Sequence, residues 1–120
     1  MRVLAGSDAL ILPSREEGVS TSLLEAMALR IPIIATKVGG TTDILEGGSG
    51  ILINPDPAEI IKAARRILED RDEARKLAER AHRKLLSAYT WDKVHRLYLH
   101  LYDKLLLKKS PSKLFNSRYA

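Results

Sequence analysis

The chain has no cysteine, which excludes a disulfide scaffold, a cysteine-containing zinc site and a thiol nucleophile, and fits a cytosolic protein. Its three histidines, His82, His95 and His100, are too few and too scattered to form a metal site. No uncharged stretch approaches the roughly 20 apolar residues needed to span a bilayer, and the N-terminus has no signal-peptide core. Internal repeats and low-complexity tracts are also absent. Acidic residues stop at Asp103: residues 1–103 carry fifteen basic and fifteen acidic side chains, so the net charge of +5 comes entirely from Lys104, Lys108, Lys109, Lys113 and Arg118. The body is neutral and the end is basic. With 120 residues, 45% of them apolar, the chain can bury roughly two-thirds of its unfolded surface, and a globular domain, soluble or at most peripheral to a membrane, is expected.

The hydrophobic pattern changes near residue 56. Before it, short apolar runs alternate with glycine-rich turns; after it, only 3.6-residue periodicity is present. Ala9 to Leu12 is a continuous apolar run stopped by Pro13, as expected of a strand buried on both faces in a parallel sheet. Ile33–Ala35 and Ile51–Ile53 repeat that character. Between the first two runs, Ser22 to Leu29 are good helix formers, and a shorter helix is expected from Thr41 or Thr42. Strand, helix, strand, helix, strand is a βαβαβ unit. Three parallel strands make half of a doubly wound sheet, so one edge should be open and need a cover.

Asp56-Pro57 is a strong helix start, with Asp as N-cap and Pro at the first helical position. The helix it opens should end near Asp70. Ala74 to Ala88 mark a second amphipathic helix, and Val94, Leu97, Tyr98, Leu101, Tyr102 and Leu105 a third, opened by Thr90. All three are expected to serve packing. Pro111 and the loss of periodicity beyond Leu107 predict a basic, frayed tail over 108–120. That tail could meet an anionic surface; nucleic acid is disfavoured because no groove-reading motif accompanies it, and a membrane surface is the better partner.

The segment with most chemical content is Pro13-Ser14-Arg15-Glu16-Glu17-Gly18-Val19-Ser20-Thr21-Ser22-Leu23-Leu24-Glu25-Ala26-Met27-Ala28. It follows the C-terminal end of a strand and leads into a helix, where open α/β sheets bind ligands. Gly18 allows a close backbone approach or a positive φ. The amides from Val19 onward, through Ser20 and Thr21 to Leu23, stand at a helix N-terminus suited to phosphate. Glu17 and Glu25 flank those amides and can accept hydrogen bonds from sugar hydroxyls, the arrangement a nucleotide-sugar site needs. A second reading stands beside this one: Ser22-x-x-Glu25 is also a capping box, in which Glu25 merely returns to the N-cap amide. Gly39-Gly40-Thr41-Thr42 either cradles phosphate or supplies tight turn geometry, the latter being preferred. His82, among Arg80, Arg83 and Lys84, is read as solvated.

In its blocks, Pro13-Ser14, Glu17-Gly18, Leu24-Glu25-Ala26-Met27-Ala28, Pro32-Ile33-Ile34-Ala35, Gly39-Gly40 and Gly50-Ile51-Leu52-Ile53-Asn54-Pro55, the chain resembles the retaining GT-B glycosyltransferases of the glycogen-synthase-like and sucrose-synthase-like group, whose signature is Glu-x7-Glu. With Trp91 and the helix to Leu107, the resemblance covers residues 4–106. It implies that Glu17 lies by the donor sugar, that Glu25 holds the ribose hydroxyls, and that the Val19–Thr21 amides face the donor diphosphate. It further implies retention by same-face displacement, with Glu17 as the residue at the reacting centre but neither Glu a nucleophile, and no metal or other cofactor. Residues 1–107 would be the C-terminal part of a donor-binding domain, α/β with about three parallel strands and three following helices. The acceptor domain, the first donor-domain strands and the basic residues that clamp the diphosphate would lie elsewhere, and neither Arg15 nor Lys37 matches the clamp positions. A partner chain or self-association is therefore expected, and the rival reading is a non-catalytic remnant or interaction module.

Three departures from the family pattern stand out. Ser20-Thr21-Ser22 replaces a common Pro or Gly-Leu-Pro, Asp43 replaces a Glu, and Arg30 stands where a helix-ending Gly is usual. If that last position is left-handed, a non-glycine residue costs about 1 kcal/mol.

Overall fold

The computed structural model describes residues 2–109. Its elements are α1 (Arg2–Ala5), β1 (Leu10–Leu12), α2 (Thr21–Ala28), β2 (Ile33–Thr36), α3 (Gly39–Leu45), β3 (Ile51–Ile53), α4 (Pro57–Glu69), α5 (Arg71–Ala88) and α6 (Trp91–Lys109). The chain divides into two compact units, Met1–Ser87 and Ala88–Ala120. The expected tail falls largely on 110–120, outside the described residues, while 108 and 109 continue α6.

In the first unit the three strands are parallel in the order β1-β2-β3, with Ile11 opposite Ile34 and Ile34 opposite Ile51. This is the α/β unit expected from the three apolar runs. All four residues of the central strand β2 are buried. Ile34, Ile53, Ala63, Ile67 and Ala74 form one buried cluster, joining one face of the sheet to α4 and α5. The pleat turns Ile33 and Ala35 the other way, and α2 and α3 contact β2 as well.

Burial on both faces fails for β1. Ile11 is 41% exposed, although it continues the face that carries Ile34. The helical cover on that face is centred on β2 and β3, so the edge strand is left bare. Among the described residues β1 pairs with β2 alone, so the open edge that the strand count predicted is present.

Local signals account for most element ends. The Asp56 carboxylate accepts from the Ala58 amide at 2.9 Å, and Pro57 takes the first helical position. Glu59 closes the same junction by accepting from the Asn54 amide and side chain at 2.7 and 2.8 Å, contacts that hold its carboxyl below the usual range. Asp70 accepts from the Glu73 amide at 2.8 Å, opening α5 one residue after α4 ends. Across that junction Arg66 forks onto Glu73, which keeps the Glu73 carboxyl low.

α2 ends in a Schellman turn, with the Ile31 amide on the Ala26 carbonyl at 2.9 Å and the Arg30 amide on the Met27 carbonyl at 3.4 Å. Arg30 takes the left-handed position, φ +56°, and its guanidinium meets Glu79 at 3.1 Å in an exposed pair. Such a pair is worth at most about 1 kcal/mol, comparable to the left-handed cost. Replacing Arg30 with Gly should therefore stabilise the unit by about 0.5–1 kcal/mol when Glu79 is already Ala, a double-mutant comparison readable from urea midpoints.

His82 is not solvated, as its charged neighbours had suggested. It is half-buried, and its Nδ1 lies 3.1 Å from the Met27 carbonyl in the last turn of α2. Arg80 donates to the Gly48 carbonyl at 2.7 Å, and Lys84 donates to the carbonyls of Asp43 and Glu46 at 2.8 and 2.9 Å. These α5 cations cap carbonyls left open at and after the end of α3, an arrangement that follows the helix dipole. In the second unit, Leu97, Tyr98, Leu101 and Tyr102 of α6 are each more than half exposed.

Candidate functional site

The C-terminal ends of the strands carry three loops: 13–20 after β1, 37–38 after β2 and 54–56 after β3. The first is the richest in polar groups. Ser14 donates to the Glu17 carboxylate at 3.1 Å, so Glu17, half-buried, is held within its own loop. Gly18, Val19 and Thr21 are exposed, Ser20 is buried, and Glu25 is half-buried one turn into α2. Glu25 forms no hydrogen bond or ion pair with another side chain among the described residues.

The start of α2 differs from the capping-box reading. Ser20, extended at φ −73°, is the N-cap, and Thr21 is the first helical residue. Ser22 is therefore the second helical residue, and Glu25 the fifth, a full turn from the cap amide and out of reciprocal capping geometry. The Ser20 hydroxyl does not cap the helix either; it pairs with the Ser22 hydroxyl at 2.8 Å. Ser20's carbonyl takes the first helical bond, from the Leu24 amide at 3.3 Å. The amides of Thr21, Ser22 and Leu23 consequently have no side-chain cap among the described residues, and point out at the end of the helix where its dipole is positive.

Gly18 permits a close approach or a positive φ, but the fold does not require glycine there: its φ is not positive, and an added Cβ would meet nothing within 4 Å. The requirement lies across the loop, at Gly39 and Gly40. A Cβ on Gly39 would stand 2.1 Å from the Glu17 carbonyl oxygen, and one on Gly40 2.5 Å from that of Gly18. Gly39 also has φ +40°. The glycine pair thus serves as tight geometry against the candidate loop, the structural side of the two readings. Thr41, which follows, is buried and its hydroxyl has no partner among the described residues.

Sequence reasoning passed over Thr36. This last residue of β2 is fully buried, and its hydroxyl donates to the Ser14 carbonyl at 2.5 Å. A hydroxyl ending an otherwise aliphatic strand was the available signal.

Nothing in this geometry is peculiar to one sugar or one acceptor, but a short parallel sheet with a carboxylate-flanked helix start is shared by a known class of transferases. The family model described as "Glycosyl transferases group 1" matches residues 1–84, and the chain belongs to that family. It is 34% identical over 94 residues to a probable sucrose-phosphate synthase of Thermosipho melanesiensis, covering 78% of this chain and 21% of that protein. It is 35% identical over 92 residues to the sulfoquinovosyl transferase SQD2 of Arabidopsis thaliana, covering 72% of this chain and 18% of that protein. Among solved structures, the sucrose-phosphate synthase from Thermosynechococcus elongatus superposes with a TM-score of 0.80 at 27% identity, over 88% of this chain and 27% of that one. The fold is therefore part of the GT-B type. The chain spans about a fifth of the length of these curated relatives.

Proposed function

We propose that this chain contributes the donor-binding segment of a glycosyltransferase that transfers a sugar from a nucleoside diphosphate with retention of configuration. The observation that carries the reading is the uncapped first turn of α2, bracketed by Glu17 and Glu25, at the C-terminal end of a parallel sheet. The amides of Val19 to Thr21, with Gly18 leading into them, would face the diphosphate. Glu25 would accept from the ribose hydroxyls, and Glu17 from the donor sugar near the reacting carbon. In a same-face displacement the departing phosphate takes the acceptor's proton, so Glu17 orients the sugar and steadies developing positive charge without bonding to it. This scheme assigns no protein-held metal or other cofactor.

The acceptor and the remaining donor contacts belong to the part of the relatives that this chain does not span. We infer that further strands cover the bare edge of β1, so that this segment taken alone should self-associate or bind a chain that carries them; a monomer in sedimentation velocity at high concentration would overturn this. No helix among the described residues is long and apolar enough to cross a membrane. A cytoplasmic site of action, with the segment from Lys104 to Arg118 touching an anionic membrane surface, completes the proposal. Calorimetric titration with UDP-glucose, GDP-mannose, UDP and GDP tests its centre. Saturable binding is expected for a nucleotide and its sugar derivative. No binding at millimolar concentration, alone or with the adjacent reading frame's product, would leave a non-catalytic interaction module as the reading.

A further inference from the structure

Glu17 sits on a loop, and loops place side chains poorly unless something rigid holds them. The most rigid element available is β2, the central strand, buried along its whole length. Its final residue, Thr36, points a hydroxyl at the exit of β1, donating to the Ser14 carbonyl at 2.5 Å. Ser14 in turn donates its own hydroxyl to the Glu17 carboxylate at 3.1 Å. Three residues after Thr36, Gly39 lies so close to the Glu17 carbonyl that a Cβ would stand 2.1 Å from its oxygen. Thr36 thus reaches the Glu17 carboxylate by way of Ser14, and the same β2–α3 segment passes the Glu17 carbonyl with no room for a side chain at Gly39.

We propose that Thr36 is a positioning residue for Glu17, its hydroxyl fixing the Ser14 peptide and Ser14 passing that placement to the carboxylate. The consequence for ligands rests on the donor-site reading above. Glu17 is assigned there to the sugar and Glu25 to the nucleoside, so loss of the Thr36 hydroxyl should weaken recognition of the sugar and spare that of the nucleotide. A defect in packing would weaken both alike.

The test compares Thr36→Val, which removes the hydroxyl at nearly constant volume, with Thr36→Ser, which keeps it, and with Ser14→Ala, which lies outside the core. Binding of UDP-glucose and GDP-mannose, against UDP and GDP, is titrated on the full chain. Thr36→Val and Ser14→Ala are expected to weaken the nucleotide sugar that binds by about tenfold, the scale of one hydrogen bond to a charged group, with free nucleotide unchanged. Thr36→Ser should stay within about twofold of the parent. Equal losses for sugar and nucleotide, or a Thr36→Ser variant as impaired as Thr36→Val, would overturn the assignment. The Glu17 carboxyl carbon resonance supplies a reading that needs no ligand. It should shift in Thr36→Val as it does in Ser14→Ala, and stay in place in Thr36→Ser. A resonance unmoved by Thr36→Val refutes the positioning role even if the parent chain binds no nucleotide sugar, whereas absent binding with the expected shifts refutes only the donor-site reading. Should Thr36→Val not fold, Thr36→Ala, which also removes the hydroxyl, takes its place in both measurements with the same expected and overturning results.

Discussion

Gly39→Ala is expected to lower the stability of the first unit by about 2–4 kcal/mol, against a total of about 5–15 for a domain of this kind. Two costs combine. An alanine at φ +40° carries a left-handed penalty of about 1 kcal/mol. Its Cβ would also stand 2.1 Å from the Glu17 carbonyl oxygen, a backbone atom that can yield only by moving the loop, and forced overpacking of this kind costs about 1–3 kcal/mol. Gly47→Ala isolates the first cost, since Gly47 has φ +82° with nothing within 4 Å of an added Cβ. Urea midpoints of the two variants, measured together, should differ by the clash alone. Equal losses would show that the approach of α3 to the Glu17 loop is not tight.

Glu25→Ala should do the reverse, leaving the fold intact while removing nucleotide affinity. Glu25 has no side-chain partner in the described structure, and a partly buried helix position without one tolerates Ala within about 0.5 kcal/mol. A capping box would predict a loss of about 0.5–2 kcal/mol from the same change. In the donor-site reading the carboxylate accepts from ribose hydroxyls, and losing charge-assisted bonds worth about 1.5–3 kcal/mol should weaken UDP or GDP binding by about tenfold to a hundredfold. Thermal melting and calorimetry on one preparation give both answers. A destabilised variant that binds nucleotide normally would return Glu25 to a capping role.

These two positions show how unevenly the sequence speaks. Glu25 is conspicuous in it, because a carboxylate eight residues after Glu17 and one turn into a helix fits a recognisable chemical pattern. Gly39 is equally visible as a glycine, but its partner is not: residue 17 is far away in sequence, and only the parallel pairing of β1 with β2 brings the two loops together. His82 was misread for the same reason. Its charged neighbours in sequence, Arg80, Arg83 and Lys84, suggest a solvated face, while its neighbour in space is the Met27 carbonyl. The start of α2 was misplaced by more local causes. Ser20, Thr21 and Ser22 are all acceptable N-caps, and sequence alone cannot rank three adjacent hydroxyl residues.

The sequence by itself determined the three parallel strands, the α4 cap at Asp56-Pro57, and the family to which the chain belongs. Each of these rests on short-range patterns: unbroken aliphatic runs, a capping residue before a proline, motif blocks at fixed spacing. Tertiary structure alone decided that Ile11 is bare, that Thr36 reaches Ser14, and that Gly39 and Gly40 underlie Glu17 and Gly18. Those facts depend on which strand is central and which loops share one end of the sheet. Burial and hydrogen bonding across the sheet are set by pairs of residues twenty or more apart, and no local pattern of side chains encodes the distance between them.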